Sequence, residues 1–166
     1  MFKLLLLVAI VILFYVKFIL KVKIKWRTFL HRGFKPSRGK FGLYVYHGKQ
    51  GKGKTYSLVE YLIDHDKTIK VFSNISGISN VSDITYYTGF SGLIDIKHKI
   101  DAGEYETDKQ IVIVYDEIFT ELQKYSKLNS EVMDFLCQMR KRKIIFLTTA
   151  QEWAELPLTY RRCCRY

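Results

Sequence analysis

The first 54 residues of this 166-residue chain contain no aspartate or glutamate. The same stretch holds thirteen of the 27 lysines and arginines, so the rest of the chain has fourteen basic and all 16 acidic residues. The formal net charge of +11 therefore belongs to the N-terminal third, and the remainder has a net charge of −2. This distribution argues against a nucleic-acid clamp that covers the whole domain. It favours contact of the basic stretch with the phosphates of lipid or DNA.

Cysteine is also scarce in this chain. Cys137, Cys163 and Cys164 are too few for a secreted disulfide framework, and the adjacent pair does not readily bridge to itself. We therefore expect a reducing, cytoplasmic setting. The chain has no internal repeat or low-complexity tract, and its length allows one α/β domain with a short appendage.

The N-terminus contains a long apolar run. It extends from Leu4 to Leu20 and is interrupted only by Lys17. This length is at the short end of what spans a bilayer, and Lys17 is close enough to one face to place its ammonium among the headgroups. We predict a membrane anchor over residues 1–25, with a buried core helix as the alternative. A cleaved signal peptide is disfavoured because the charges follow the apolar stretch and no small-x-small cleavage site is present.

Basic residues without any acidic residue follow the apolar run over 17–40. By the positive-inside rule, this flank stays in the cytoplasm and the N-terminus lies outside. We therefore expect a single-pass protein of a host-cell or virion membrane, with its globular domain on the cytoplasmic side. Residues 26–40 are the predicted linker, and 41–166 are the predicted domain.

From Phe41 on, apolar strands alternate with amphipathic helices. The predicted strands cover 41–47, 69–74, 110–115 and 143–149, and the predicted helices cover 54–63, 91–102 and 130–141. Strands of continuous Ile, Val and Leu between helices favour a mostly parallel sheet covered on both faces, which is a three-layer α/β sandwich. Residues 76–90 are expected to form a loop or a short hairpin. A core-facing stripe in the last helix comprises Val132, Phe135, Leu136 and Met139.

A glycine-rich run lies directly behind the first predicted strand. It has the pattern G-x-x-x-x-G-K-T and comprises Gly48, Lys49, Gln50, Gly51, Lys52, Gly53, Lys54 and Thr55. Between a strand and a helix, this pattern is typical of a phosphate-binding loop. The glycines let backbone N–H groups point inward, the lysine reaches the β- and γ-phosphates, and the threonine hydroxyl ligates Mg²⁺. We therefore predict binding of ATP and Mg²⁺. The alternative is a basic loop without a ligand.

Two acidic residues, Asp116 and Glu117, end the third predicted strand. In phosphate-loop enzymes, a carboxylate at the tip of a neighbouring strand holds Mg²⁺, so Asp116 is predicted to be the metal-binding acid. Glu117 is then available as the general base that polarises the attacking water. The alternative is that Asp116 only caps the turn after its strand.

Polar and basic residues flank the fourth predicted strand. Gln151 is expected beside the γ-phosphate, in preference to Thr148 and Thr149, whose hydroxyls could cap local backbone. Arg140 and Arg142 precede the strand. One interpretation is that their positive charges are placed favourably against the helix dipole. The alternative is that one of the two is an arginine finger that reaches the γ-phosphate in a neighbouring subunit. A second basic cluster, able to do the same or to contact DNA phosphates, comprises Arg161, Arg162 and Arg165.

Together these motifs resemble the FtsK–HerA group of DNA-pumping ATPases. The resemblance covers Phe41 to Arg162 and includes the phosphate loop and the strand ending in Asp116-Glu117. It also includes the R-K-R segment, the strand ending in T-T-A-Gln151, and the segment Leu156-Pro-Leu-Thr-Tyr-Arg-Arg162. Within the group, the chain is most similar to the zonular-occludens-toxin-like assembly ATPases of filamentous phages and to the genome-packaging ATPases of membrane-containing viruses.

The resemblance implies a P-loop NTPase fold and Mg²⁺-dependent ATP hydrolysis coupled to DNA translocation. The implied working form is a homo-oligomeric ring, usually a hexamer, with DNA, a membrane and virion assembly proteins as partners. The matched ATPase positions are Lys54, Thr55, Asp116, Glu117 and Gln151, with Arg140 or Arg142 as the subunit-bridging arginine.

Two other functions are compatible with the same loop. A small-molecule kinase would need an arginine-rich acceptor lid after the core. The only late arginines are those of the second basic cluster, and we expect no room for a lid there. A membrane scaffold that binds ATP without hydrolysing it would use the basic N-terminal flank as its partner surface.

Overall fold

The computed structural model describes residues 40–105, 108–124 and 130–164. The predicted anchor and, apart from Lys40, the predicted linker lie outside these residues, as does Arg165. All described residues fall within one compact unit, Pro36–Tyr166. Within the described ranges, no helix combines the length and the apolar character needed to cross a bilayer.

A five-stranded sheet forms the centre of the domain. The strands are β1 (Gly42–His47), β2 (Ile69–Ser73), β3 (Ile84–Tyr86), β4 (Gln110–Tyr115) and β5 (Ile145–Ala150). They lie in the order β1-β5-β4-β2-β3, and all of these pairings are parallel. The α/β architecture with a parallel sheet, predicted from the alternation of strands and helices, is confirmed.

Helices cover both faces of the sheet. They are α1 (Lys54–His65), α2 (Gly89–Asp101), α3 (Ile118–Lys124), α4 (Ser130–Cys137) and α5 (Leu158–Cys163), with 3₁₀ turns at Asp66–Thr68 and Trp153–Glu155. Helix α1 buries its apolar side on one face. Helices α2 to α5 bury theirs on the other. This gives the three layers that the sequence pattern predicts.

The central strands β4 and β5 are buried on both faces. Val112 and Val114 of β4 pack on the α1 side, whereas Ile113 and Tyr115 pack on the opposite side. Successive side chains of a strand point to opposite faces, so a strand covered on both sides needs a continuous apolar sequence. These two strands therefore form a rigid base for the polar residues that follow them.

The segment predicted as a loop or hairpin contains the short strand β3 instead. β3 pairs with β2 in parallel, so it is the edge strand of the sheet and not half of a hairpin. Helices α3 and α5 are two further elements that the sequence analysis does not predict. Both are short and give little helical periodicity, and their apolar residues Ile118, Leu122 and Tyr160 are buried by tertiary packing.

The predicted helix over 130–141 ends as α4 at Cys137, and its backbone continues through turns to Lys143. Lys143 has a left-handed φ of 57°. The N–H of Ile144 donates to the Met139 carbonyl at 2.9 Å, and the N–H of Lys143 donates to the Arg140 carbonyl at 3.3 Å. This pair of bonds is a Schellman cap, which usually has glycine at the left-handed position. Because no glycine at 143 marks the end of the helix in the sequence, the predicted strand begins at 143. The observed strand β5 begins two residues later, at Ile145.

A disulfide joins Cys137, the last residue of α4, to Cys163, the last residue of α5, with their Cα atoms 5.1 Å apart. This bond differs from the reducing setting that the cysteine count leads us to expect. The count does not predict it, because the bond depends on the tertiary contact between the two helices. Cys164 is a free thiol, and burial raises its pKa to about 12. Its backbone forms a parallel bridge with Leu43, so the chain returns to the outer edge of β1.

Candidate active site

The parallel strands bring the predicted site residues to one edge of the sheet. The phosphate loop follows β1, Asp116 and Glu117 follow β4, and Gln151 follows β5. Carboxyl ends of parallel strands share an edge, which is where ligands bind in open α/β sheets. Because β5 lies between β1 and β4, its carboxyl end lies between the start of the loop and the two acids.

Two glycines of the loop adopt left-handed backbone conformations. Gly51 has a φ of 74° and Gly53, the residue before α1, has a φ of 78°. A β-carbon at either position would meet no atom within 4 Å. Backbone conformation, and not lack of space, is therefore what requires glycine here. The turn directs the chain into the N-terminus of α1, where backbone N–H groups favour anions.

The Lys54 ammonium lies across the loop. It donates hydrogen bonds to the carbonyls of Gly48 at 2.7 Å and of Lys49 at 3.3 Å. The N–H of Gly48 in turn donates to the Ala150 carbonyl at 3.3 Å, which attaches the start of the loop to the end of β5. The loop thus carries a positive charge at its opening, as phosphate binding requires.

The hydroxyl of Thr55 reaches the carboxylate of Asp116. It lies 3.1 Å from one carboxylate oxygen and 3.3 Å from the other, although the two residues are 61 positions apart in the sequence. The Thr149 hydroxyl donates to the same carboxylate at 2.5 Å. These contacts are with other elements of the fold, whereas a residue that only capped its own turn would bond to nearby backbone.

These oxygens fit the coordination preferences of Mg²⁺. The ion prefers oxygen ligands and is usually held by one or two carboxylates together with phosphate oxygens. Among the described residues, no group of three or more His, Cys, Asp or Glu side chains could hold a metal. Thr55 and Asp116 are the residues that would hold Mg²⁺ together with the phosphates, and the ion would neutralise charge on them.

Glu117 has an unusual backbone. Its φ is 54°, in the left-handed region, and its side chain is exposed at the edge of the sheet. This conformation costs a residue other than glycine about 1 to 2 kcal/mol. The Glu117 N–H donates to the Thr149 hydroxyl at 2.8 Å, and one such bond stabilises by about 0.5 to 1.5 kcal/mol. Backbone outliers of this kind concentrate at active sites.

Gln151 and its surroundings adjoin the phosphate loop. Gln151 is exposed and directly follows β5. The rings of His47 and Trp153 are 5.9 Å apart, so the segment after β5 packs against the end of β1. No described hydrogen bond connects the Gln151 side chain to the acids, and its role stays a prediction.

Two residues of the site were not assigned from the sequence. Thr149, considered there only as a local cap, is fully buried, and its hydroxyl contacts both Asp116 and Glu117. Asn74, at the end of β2, hydrogen-bonds the backbone of Asp116. The signal for both is the same one that identifies Asp116, namely a polar residue at the carboxyl end of an apolar strand.

The candidate arginines lie at the opposite edge of the sheet, because both precede the first residue of β5. Arg142 forms an ion pair with Asp101, donates from Nε to Gln138 at 3.2 Å and lies 5.4 Å from the ring of Phe135. Hydrogen bonding to Arg142 lowers the pKa of Asp101. Arg140 is exposed. Neither arginine adjoins the phosphate loop of its own chain.

Comparisons with known proteins find similar solved structures. No protein-family model matches the chain, and no curated protein matches it. The pCW3 conjugation coupling protein TcpA, in its monomer form with ATPγS, is 17% identical with a TM-score of 0.47. The match covers 75% of this chain and 47% of that one.

Two further similar structures are of EssC. Its cytoplasmic domain is 13% identical with a TM-score of 0.48, and the match covers 73% of this chain and 29% of that one. ATPases 2 and 3 of EssC from Geobacillus thermodenitrificans are 11% identical with a TM-score of 0.46, covering 74% and 30%. This chain spans less than half the length of all three structures. Each TM-score is below 0.5, so these likenesses carry no argument about the function of this chain.

Replacing Lys54 and Glu117 should separate nucleotide binding from hydrolysis. Lys54→Ala removes the charge at the loop opening, so we expect at least about 30-fold weaker ATP binding. Glu117→Gln keeps the loop intact, so we expect near-normal binding and about 100- to 10,000-fold slower hydrolysis. Titration with a fluorescent ATP analogue and a phosphate-release assay measure the two effects.

Lys67→Ala is the matched control, because Lys67 is an exposed lysine in the turn after α1, before the opposite end of β2. It should leave both quantities unchanged. Equal residual turnover in the Lys54 and Glu117 variants, with equal affinity for the analogue, would refute the two role assignments.

Proposed function

We propose that this chain is a membrane-anchored, Mg²⁺-dependent ATPase that moves viral or phage DNA during packaging or virion assembly and export. The observation that carries the ATPase proposal is the contact of Thr55 with Asp116 at 3.1 and 3.3 Å. It joins the end of the phosphate loop to the acid predicted to bind the metal. A glycine-rich loop without a ligand has no need for this contact.

In the proposed reaction, the loop and Lys54 bind the phosphates of ATP, and Thr55 and Asp116 would hold Mg²⁺, which would neutralise charge on the phosphates. Glu117 accepts a proton from a water molecule while the oxygen of that water attacks the γ-phosphorus. The bond from the γ-phosphorus to the bridging oxygen breaks, and ADP leaves with its electron pair. Gln151 is proposed to contact the γ-phosphate or the water and to transmit the loss of the phosphate to the rest of the molecule.

DNA is the proposed substrate for movement because of the FtsK–HerA resemblance and the basic N-terminal third. Phosphate contacts by lysine and arginine bind DNA without sequence preference, as a translocating motor requires. Virion assembly proteins are proposed as further partners on the resemblance alone.

Single- or double-stranded DNA should stimulate ATP turnover by the full chain in detergent. The stimulation should weaken as salt rises, because salt competes for phosphate contacts. A phosphate-release assay with each DNA form measures it, heparin controls for polyanions in general, and Lys54→Ala shows that turnover comes from this site.

The other outcomes of that assay discriminate between the remaining functions. Turnover without stimulation by either DNA form would count heavily against translocation. Transfer of the γ-phosphate to nucleosides or nucleotides would support a small-molecule kinase. Near-zero turnover in an assembled oligomer would support the ATP-binding scaffold.

A homo-oligomeric ring is part of the proposal because Arg140 and Arg142 precede β5 and so lie away from the phosphate loop of their own chain. An arginine finger at this edge can reach a phosphate loop only in a neighbouring subunit. Arg142 is held by Asp101 and Gln138 within its own chain, whereas Arg140 is exposed. We therefore assign the finger to Arg140 and a structural role to Arg142.

Arg140→Ala should reduce turnover by about 1,000-fold or more, with nucleotide binding retained. Mixing Arg140→Ala subunits with Glu117→Gln subunits should restore part of the activity, because some sites then combine an intact Glu117 with a neighbour's Arg140. Lys141→Ala, which changes the adjacent exposed cation, is the control. Failure of the mixture to exceed either variant alone would exclude a finger supplied by the neighbour.

Membrane anchoring is proposed from the apolar run Leu4 to Leu20 and the basic residues after it. The full chain should stay in the membrane pellet after alkaline extraction. Each arginine at the centre of a spanning helix costs about 2.5 to 3.5 kcal/mol, so Ile10→Arg with Leu13→Arg should release it. Ile10→Leu with Leu13→Ile is the matched apolar control. Release of the unmodified chain by alkali would exclude a spanning anchor.

A further inference from the structure

The Asp116–Glu117 peptide group is held from both sides. Its carbonyl accepts a hydrogen bond from the Asn74 side-chain amide at 3.1 Å. Its N–H donates to the Thr149 hydroxyl at 2.8 Å. Asn74 follows β2 and Thr149 belongs to β5, the two strands that flank β4. The peptide that connects the predicted metal-binding acid to the predicted general base is therefore bonded to both neighbouring strands.

Asn74 makes a second bond to the same residue. Its side-chain oxygen accepts the Asp116 N–H at 2.7 Å, so one amide side chain pairs with both backbone polar groups of Asp116. The paired residues of β2 and β4 end at Ser73 and Val114. The Asn74 N–H donates to the Val114 carbonyl at 3.4 Å. The asparagine side chain thus takes the place of a further strand residue and continues the ladder after β2 has turned away.

This pairing bears on the strained residue that follows. Glu117 has a left-handed φ of 54°, and rotation of the preceding peptide group would relieve the strain. Such a rotation would break the bonds to Asn74 and Thr149. Once the peptide is free, the Glu117 Cα and the side chain that it carries are no longer fixed relative to β4 and its two neighbouring strands. The strain and a single hydrogen bond are comparable in free energy, so the loss of one bond is enough to shift the balance. Thr149 cannot hold the peptide carbonyl, because its hydroxyl already donates to the Asp116 carboxylate.

We propose that Asn74 is a positioning residue that fixes the Asp116–Glu117 peptide and thereby aims the Glu117 carboxylate. This inference rests on the proposed ATPase function, in which Glu117 acts on the attacking water. Both the nitrogen and the oxygen of the Asn74 side-chain amide are bonded to the backbone of Asp116, so we expect its contribution in the chemical step and not in the binding of ATP.

Asn74→Ala tests the proposal in the full chain in detergent. We expect kcat to fall about 10- to 100-fold, because misplacement of a catalytic group by about 1 Å has an effect of this size. The KM for ATP and the dissociation constant of a non-hydrolysable analogue should stay within about threefold of the original. Asn80→Ala, at an exposed asparagine outside the site, should change none of these quantities.

Two further variants separate positioning from general structural damage. Asn74→Asp keeps the shape and one acceptor oxygen but loses the amide donor to the Asp116 carbonyl, so it should also lower kcat without unfolding the chain. In a Glu117→Gln background, Asn74→Ala should slow the residual single-turnover rate no further, because the group that it positions is already disabled. Circular dichroism melting curves report whether each variant folds.

The results separate failure of the inference from failure of the proposed function. If the unmodified chain hydrolyses ATP and Asn74→Ala and Asn74→Asp keep its kcat, the inference is refuted and the ATPase proposal stands. A raised KM at unchanged kcat, or an equal further loss in the Glu117→Gln background, would also refute the positioning role. Absence of turnover in the unmodified, assembled chain would overturn both.

Discussion

The contact between the Thr55 hydroxyl and the Asp116 carboxylate depends on the direction of the strands. Thr55 is the last residue of the loop after β1, and Asp116 follows β4, which is not the neighbour of β1. Only because both strands run parallel to β5 do their ends meet at one edge, where two side chains 61 positions apart come within 3.1 Å. Reversing either strand would place the loop and the acid at opposite edges. The other contacts of the site are arranged around this one.

The acidic segment combines a strained backbone with fixed surroundings. β4 is buried on both faces as far as Tyr115, and from Asp116 on the chain is held by side chains instead of strand pairing. Asn74 and Thr149 bond to three successive backbone groups, the N–H and carbonyl of Asp116 and the N–H of Glu117. A left-handed residue can persist when its neighbours determine its conformation in this way. The strands thereby support the backbone that carries the exposed Glu117 carboxylate.

The sequence predicts the parallel sheet, its cover of helices and the phosphate loop, because strand composition and a strand–loop–helix motif are local signals. The core stripe of Val132, Phe135, Leu136 and Met139 is confirmed by burial. The roles of Asn74 and Thr149 could not be predicted, since a single polar residue at a strand end bonds in many ways and the strand order decides its partners. β3, the short helices and the Cys137–Cys163 bond also depend on tertiary contacts. The distinction between Arg140 and Arg142 requires knowledge that Asp101 lies beside Arg142.

The Cys137–Cys163 bond closes a covalent ring with a sequence separation of 26 residues. That ring contains all of β5 together with Arg140 at one edge of the sheet and Gln151 at the other. Arg140 is proposed to contact the nucleotide of a neighbouring subunit, and Gln151 is proposed to contact the γ-phosphate in its own subunit. Both residues thus lie in one covalently closed loop. While the bond is intact, the end of α5 cannot move away from the end of α4, because the two cysteines join them.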